Sequence, residues 1–425
     1  MNNEEGHIVQ QIPLDEYYPT SESEGGWRVI DPERLGVDKR LLKQAISHHN
    51  NHGATRSYGG ALVVVYRGHV IAESYVTGEE GGPKSWGRLT CNDLKSSTKS
   101  IFGTTVGIFL DEYGDKASLD TPLVGTSPKE SLIPQIWEEL ITDERKTRIL
   151  VKNVLSMTSG HASNEPWLAP SRRRHTPGHG GSYQMYEYCF GWWQFDGVPA
   201  QYRLLFEPGT GFNYSNFGLE QLALAMRNVS GMELGRYAWD RFLGEIGMPA
   251  ELCDNFYREM PYVDDRELNY SDRPGWGVGG STGCNAYGAD RSVSPIGYNT
   301  IVGSTFRCSA RDFARLGYLW LRKGKWGKRQ LVPENWIKQA TNRFRRLDGT
   351  TPVKYGYTFW LQDDWDGVPV DTFGSQGHNI NICYVIPSLD LVIVRMGNDN
   401  PSREMRDNFI KTLLAGIVRA VSYPK

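Results

Sequence analysis

The stretch Gly60-Ala-Leu-Val-Val-Val-Tyr66 is apolar at almost every position, and after Arg67-Gly68-His69 comes a second run, Val70-Ile-Ala-Glu-Ser-Tyr75. Together they predict a β-hairpin. Its first strand is read as covered on both faces, because a strand with one wet face would alternate. A similar pair, Asn381-Ile-Cys-Tyr-Val-Ile386 and Leu391-Val-Ile-Val-Arg-Met396, flanks Pro387-Ser-Leu-Asp390 near the other end and predicts a second hairpin. Beyond it Met405, Phe409, Leu413, Ile417 and Ala420 recur at helical spacing. Between the two hairpins the pattern is mainly helical. Val106, Phe109, Leu110 and Tyr113 make one stripe, and Leu219, Leu222, Met226 and Val229 make another, closed by Gly231.

Strands at both ends and helices in the middle imply an α/β protein of the α+β type. An antiparallel sheet built from both chain ends is flanked by helices, with a mainly helical region inserted. The expected organisation is a polar, acidic arm over residues 1–24, a sheet domain over 25–95 and 300–425, and a mainly helical domain over 96–299.

Composition narrows the class. A net charge of -2 over 425 residues gives no global field for nucleic acid or an anionic membrane. No apolar run has transmembrane length. The start, MNNEEGHIVQQIPLDEYYP, has neither the basic end nor the apolar stretch of a secretory signal, so a cytoplasmic location is expected unless a leader has been removed. Six scattered cysteines without a CxxC pair read as buried thiols, and nine histidines without an HExxH cluster lead us to expect no metal and no other cofactor.

The chemistry is concentrated in Asp93-Leu-Lys-Ser-Ser-Thr-Lys-Ser100. Phe102, Val106, Phe109 and Leu110 continue it as an amphipathic helix, with Asn92 or Asp93 as N-cap. On that helix Ser96 and Lys99 share a face, whereas Ser97 and Lys99 point apart. Ser96 falls in the first turn, where unpaired N–H groups and the helix dipole favour negative charge. A desolvated lysine there could take the serine proton. A polar helix start is the plainer reading of these residues taken alone.

Further motifs support the sharper reading: Val154-Leu-Ser-Met-Thr-Ser-Gly160, Tyr214-Ser215-Asn216 between a turn and a helix, and Ser309-Ala-Arg-Asp-Phe-Ala-Arg-Leu-Gly317. In this order, from about Gly59 to the C-terminus, the chain resembles the class C β-lactamase-like serine hydrolases. That family shares its fold with penicillin-binding proteins and includes esterases, D-amino-acid peptidases and amidases, transacylases and 6-aminohexanoate-dimer hydrolases. Ser-x-x-Lys is its first signature and Tyr-x-Asn its second. The resemblance implies Ser96 as nucleophile, Lys99 and Tyr214 sharing proton transfer, and Asn216 orienting Lys99 and the substrate. An ammonium nearby would lower the tyrosine pKa, allowing a phenolate to serve as base.

The third signature, Lys-Thr-Gly or His-Thr-Gly in the family, departs here. Ser375-Gln376-Gly377 best occupies its slot, so no cation is supplied, and the backbone of His378 stands where the family places a second oxyanion N–H. Gly279-Gly-Ser-Thr-Gly283 matches the GxSxG pattern. Its glycine-rich surroundings and the lack of a lysine partner for Ser281 make it a loop. Trp276 beside it is a candidate for the cleft. Tyr186 and Trp192, within an aromatic-rich segment from Trp167 to Phe195, are candidates for a pocket wall or for core packing. The expected function is cleavage of a small-molecule ester or amide through an acyl-enzyme, with no nucleic-acid or membrane partner and the oligomeric state open. A β-lactamase or D,D-peptidase, a transacylase and a non-catalytic binding protein are the alternatives.

Overall fold

The computed structural model describes residues 16–79, 86–134, 137–141, 143–161, 204–249, 275–276, 278–279, 299–300, 302–303, 306–343, 354–398 and 402–422. Strands β1 (Gly60–Tyr66) and β2 (His69–Val76) form the first hairpin. Strands β3 (Cys91–Asp93), β4 (Gly275–Trp276) and β5 (Phe306–Ser309) make a small antiparallel sheet in the order β3-β5-β4. Strands β6 (Trp360–Leu361), β7 (Phe373–Gly377), β8 (Asn381–Ile386) and β9 (Leu391–Gly397) complete a six-stranded sheet. Its order is β6-β7-β8-β9-β1-β2, and every neighbouring pair is antiparallel. The sheet is therefore built from both ends of the chain, as the two hairpin patterns imply. The principal helices are α1 (Lys39–Asn51), α2 (Thr98–Glu112), α3 (Phe217–Ser230), α4 (Ala310–Leu321) and α5 (Arg403–Ser422).

Strands β1 and β9 pair in the interior of the sheet and are covered on both faces. Ala61, Val63 and Val65 with Val392, Val394 and Met396 face α4, while Leu62, Val64 and Ile393 face α1 and α5. Each of these valines, leucines and isoleucines is essentially inaccessible, and burying one contributes about 1.5–3 kcal/mol. This is why β1 reads as continuously apolar. In α5 the stripe holds for Phe409, Leu413, Ile417 and Ala420, but Met405 is exposed, as are the two residues before it in the first turn. Helix α3 ends as its sequence indicates: Gly231 adopts φ +70°, and its N–H donates to the Arg227 carbonyl at 2.8 Å.

The segment before α1 lies against α4. Glu22 accepts from Arg315 at 2.8 Å and also pairs with Arg311, and the Trp27 indole donates to the Arg311 carbonyl at 3.0 Å. Cys91, Cys308 and Cys383 are buried free thiols. No helix among the described residues is long and apolar enough to cross a membrane.

One expectation fails in an informative way. Helix α2 is not amphipathic: Thr98 to Phe109 are all buried, on every side. Its polar side chains are matched internally. Ser100 Oγ donates to the Thr358 carbonyl at 2.7 Å, Thr104 Oγ1 to the Ser100 carbonyl at 2.8 Å, and Trp320 Nε1 to Thr104 Oγ1 at 2.9 Å. Gly103 and Gly107 let Thr358 and Trp336 approach the helix where a Cβ would overlap them. A polar face therefore does not mark solvent here, because serine and threonine can hydrogen-bond within the interior.

The unequal burial along α5 can be tested by chemical denaturation. Phe409→Ala should cost about 3–5 kcal/mol, and Met405→Ala should stay within about 0.5 kcal/mol of wild type.

Candidate active site

The site is assembled where the turn Lys95–Ser97 runs from β3 into α2. This is a 3-10 turn, and α2 proper begins at Thr98, so Ser96 lies just ahead of the helix rather than within its first α turn. Asp93 caps the turn, its Oδ1 accepting from the Lys95 N–H at 2.8 Å. Asn92, the other capping candidate, is buried elsewhere, donating to Asn381 Oδ1 and the Gly397 carbonyl, each at 3.1 Å. Ser97 Oγ donates to the Asn381 carbonyl at 2.7 Å. Lys95 is held at φ +53°, a left-handed conformation costing an order of 1 kcal/mol, which directs the chain so that Ser96 is half-buried at the mouth of the helix.

Lys99 is 1% exposed. Its Nζ lies 3.0 Å from Ser96 Oγ, donates to the Gly303 carbonyl at 2.5 Å, and sits 5.0 Å from the centre of the Tyr214 ring. The Tyr214 hydroxyl faces Ser96 closely enough for Ser96 to favour its ionised form. The structure therefore brings Ser96, Lys99 and Tyr214 together across a sequence separation of more than a hundred residues. Burial lowers the Lys99 pKa to about 7, with an opposing contribution from Glu220. Burial pushes the Tyr214 phenol up, beyond what the neighbouring Ser96 offsets. The direction is opposite to the lowering expected from a nearby ammonium: burial disfavours the phenolate, while it brings Lys99 to a pKa at which about half the amine is neutral near pH 7. Such an arrangement can take a hydroxyl proton at neutral pH and hold a phenolic proton ready to donate.

Asn216 is buried beside Gly303, whose Cβ, were there one, would lie 2.8 Å from Asn216 Cγ. Strand β7 lies along the Ser96 turn. Gly377 meets it so closely that a Cβ would overlap the Leu94 carbonyl oxygen. His378 follows, with an exposed side chain and a backbone carbonyl that accepts from Asn381 Nδ2 at 2.8 Å. The next two residues, Asn379 and Ile380, are left-handed at φ +62° and +55°, and their carbonyls accept from Arg395 Nη1 at 2.9 and 3.3 Å. Ser375, in contrast, is wholly buried on β7, and its hydroxyl has no hydrogen-bond partner among the described residues. In this conformation its side chain has no exposed surface. A strand residue facing the core side of the sheet is covered by whatever packs there, and α2 packs there. Trp276 is in β4, paired with Phe306. Tyr186, Trp192 and Ser281 lie outside the described residues.

Two features were not anticipated from sequence. Tyr214 is stacked on Trp360 with ring centres 5.9 Å apart, and Tyr355 meets both rings edge-on. An aromatic wall thus comes from the segment leading into β6. The pattern Tyr355-x-Tyr357-x-x-Trp360 could have suggested it. The second is Glu220 on α3, 2% exposed, which accepts from the Gly303 N–H at 2.8 Å and the Val302 N–H at 3.1 Å. A charged residue among the leucines of the α3 stripe was the available signal.

The Beta-lactamase family model matches residues 42–417. No curated protein matches the chain. Among solved structures, EstCE1, described as a hydrolase with promiscuous acyltransferase activity, is similar with a TM-score of 0.59 at 16% identity, over 90% of this chain and 99% of that one. A family VIII carboxylesterase is similar with a TM-score of 0.58 at 16% identity, over 90% and 97%. A putative β-lactamase from Bacteroides dorei gives 0.58 at 15% identity, over 89% and 98%. At these identities the structures establish a shared fold.

The close approach at Gly377 generates a test. Gly377→Ala should destabilise the protein by about 1–3 kcal/mol, because the methyl group meets backbone rather than a movable side chain. A fluorophosphonate reacting with the intact protein should label it at least tenfold more slowly, since the β7 edge is pushed away from the Ser96 turn.

Proposed function

We propose that this chain, which belongs to the β-lactamase family, is a serine hydrolase that cleaves an uncharged ester or amide through an acyl-enzyme on Ser96. The observation that carries this reading is the 3.0 Å contact between Ser96 Oγ and the Nζ of a buried lysine whose pKa is lowered to about 7.

In the forward half-reaction Ser96 Oγ attacks the carbonyl carbon as neutral Lys99 takes its proton. The tetrahedral oxyanion is received by the backbone N–H groups of Ser96 and His378, donors fixed before the reaction. Collapse expels the alcohol or amine, which takes a proton from the Tyr214 hydroxyl, and Tyr214 is reprotonated from the Lys99 ammonium. Water then attacks the acyl-enzyme by the same route in reverse, releasing the acid and restoring Ser96. Asn216, packed beside Gly303, orients the substrate and the lysine.

The preference for a neutral substrate rests on two supports. By the resemblance Ser375 takes the slot where β-lactamases place a cation, and a buried, uncharged serine supplies none there. A substrate carboxylate without that partner forgoes a charged hydrogen bond, about 1.5–3 kcal/mol or roughly one to two decades in kcat/KM. Tyr214 and Trp360, both half-buried and backed by the buried Tyr355, present flat apolar surface to the leaving or acyl group.

Intact mass spectrometry with a fluorophosphonate, followed by a panel of esters, amides and lactams, tests the reading. A single adduct on Ser96 is expected, absent in Ser96→Ala, whose fold is retained. Lys99→Ala and Tyr214→Phe should each cost several decades in acylation, with the double variant little worse, because the two act as one proton-transfer unit. Nitrophenyl esters and aryl amides should exceed a chromogenic cephalosporin in kcat/KM. Labelling that persists in Ser96→Ala would sink the nucleophile, and a cephalosporin ahead by a decade would overturn the substrate class.

A further inference from the structure

We infer that Glu220 is a positioning residue for Lys99: its carboxylate clamps the Val302–Gly303 backbone so that the Gly303 carbonyl holds the lysine amine against Ser96. This rests on the reading of Lys99 as the base.

The connection runs through backbone. Glu220 Oε1 accepts from the N–H of Gly303 at 2.8 Å and of Val302 at 3.1 Å, and Oε2 accepts from Val302 at 3.3 Å. The carbonyl of the same Gly303 accepts from Lys99 Nζ at 2.5 Å. One glycine therefore receives the carboxylate on its amide and the amine on its oxygen. Glycine is needed, because a Cβ would lie 2.8 Å from Asn216 Cγ and 3.1 Å from Glu220 Oε1. The carboxylate itself is held by α3, whose N-terminal ten residues are all buried. A buried carboxylate is costly unless its lone pairs are occupied, and two backbone N–H groups occupy them here.

Charge adds a second, separable contribution. Among the described residues Lys99 is the only charged group acting on Glu220, and Glu220 the only one acting on Lys99, with the uncharged Tyr214 ring as the other titratable group facing the amine. Burial pushes the Glu220 carboxyl up to about 7, while the two N–H donors and Lys99 pull it down. In its ionised form it favours the Lys99 ammonium. Removing the charge while keeping the acceptor therefore makes Lys99 lose its proton at lower pH.

The experiment is the rate of fluorophosphonate labelling at Ser96 in the full chain across pH 5 to 9. In wild type the rate should rise with pH through about 7 and level off, since the neutral amine is the active form. Glu220→Gln keeps an oxygen for the two N–H groups and should move this limb roughly one pH unit toward acid. Glu220→Leu removes the clamp and should lower the plateau at least tenfold. Gly303→Ala, which presses on Asn216 and Glu220 without deleting either, should also lower the plateau tenfold, and it serves if Glu220→Gln fails to fold. Limbs and plateaus that superimpose on wild type in the folded variants overturn the inference. A Glu220→Gln loss equal to that of Glu220→Leu, with the limb unmoved, also overturns it, because a merely structural residue behaves that way. Absence of wild-type labelling at Ser96 strikes instead at the parent reading, and the clamp loses its purpose with it.

Discussion

A lysine amine with no access to water is the constraint around which this molecule is arranged. Burying an ammonium costs several kcal/mol even after relaxation, so Lys99 must find polar partners or give up its proton. It does some of each. Ser96 Oγ, the Gly303 carbonyl, the face of Tyr214 and the charge of Glu220 surround it, and its pKa still falls to about 7. The dryness comes from the fold. Helix α2 is packed on all sides, with Gly103 and Gly107 admitting Thr358 and Trp336, and α3 presents ten consecutive buried residues from the other side. Had α2 been amphipathic, as its serines and threonines suggest, Lys99 would sit near solvent with an ordinary pKa and would be a poor base at neutral pH.

A reactive geometry also needs a frame that does not shift, and Asn381 provides much of it. Wholly buried at the start of β8, it accepts from Asn92 and from the Gly397 N–H, donates to the His378 carbonyl, and its own carbonyl accepts from Ser97. One residue, through its side chain and its carbonyl, thus ties the nucleophile turn, the end of β7 and the central strand β9. This offsets local strain. Lys95, Asn379 and Ile380 are all left-handed, and for a β-branched isoleucine that is a real outlier costing about 1–3 kcal/mol. The strained residues lie just before Ser96 and just after His378, the two positions whose N–H groups the proposed mechanism aims at one oxyanion.

The frame was more legible in the sequence than the site. Continuous apolar runs at both ends announced the central strands, because a strand covered on two faces has no polar positions to hide. Ser96, Lys99 and Tyr214 were legible because their spacing is local or their motif is distinctive. What escaped is what depends on contacts between distant segments. Ser375 lies in the strand expected before Asn381, but how that strand is covered is decided by α2, more than 260 residues earlier. Asn92 looked like a helix cap, yet its partners Asn381 and Gly397 come from the far end of the chain. Glu220 was hidden inside an apolar stripe, where a single acid changes the helical pattern little, and the residues it clamps have no motif.

Burial displaces the pKa values of Lys99 and Tyr214 in opposite directions, which is the basis of the proposed division of work. Burial acts on both Lys99 and Tyr214, but it penalises the charged form, which for the amine is the acid and for the phenol is the base. The same dry environment therefore drives the lysine toward proton acceptor and the tyrosine toward proton donor, without needing a separate device for each. Tyr214 as a phenolate base would require the site to be wetter or more positive than it is. With Glu220 beside Lys99, the pair is close to electrically neutral, so no net positive charge is available to stabilise a phenolate. Nor does that neutral pair offer a charge to attract an anionic substrate. The absence of a cation at Ser375 and the balanced charge at Lys99–Glu220 thus act in the same direction, and chemistry on a neutral carbonyl is what such a site is suited to perform.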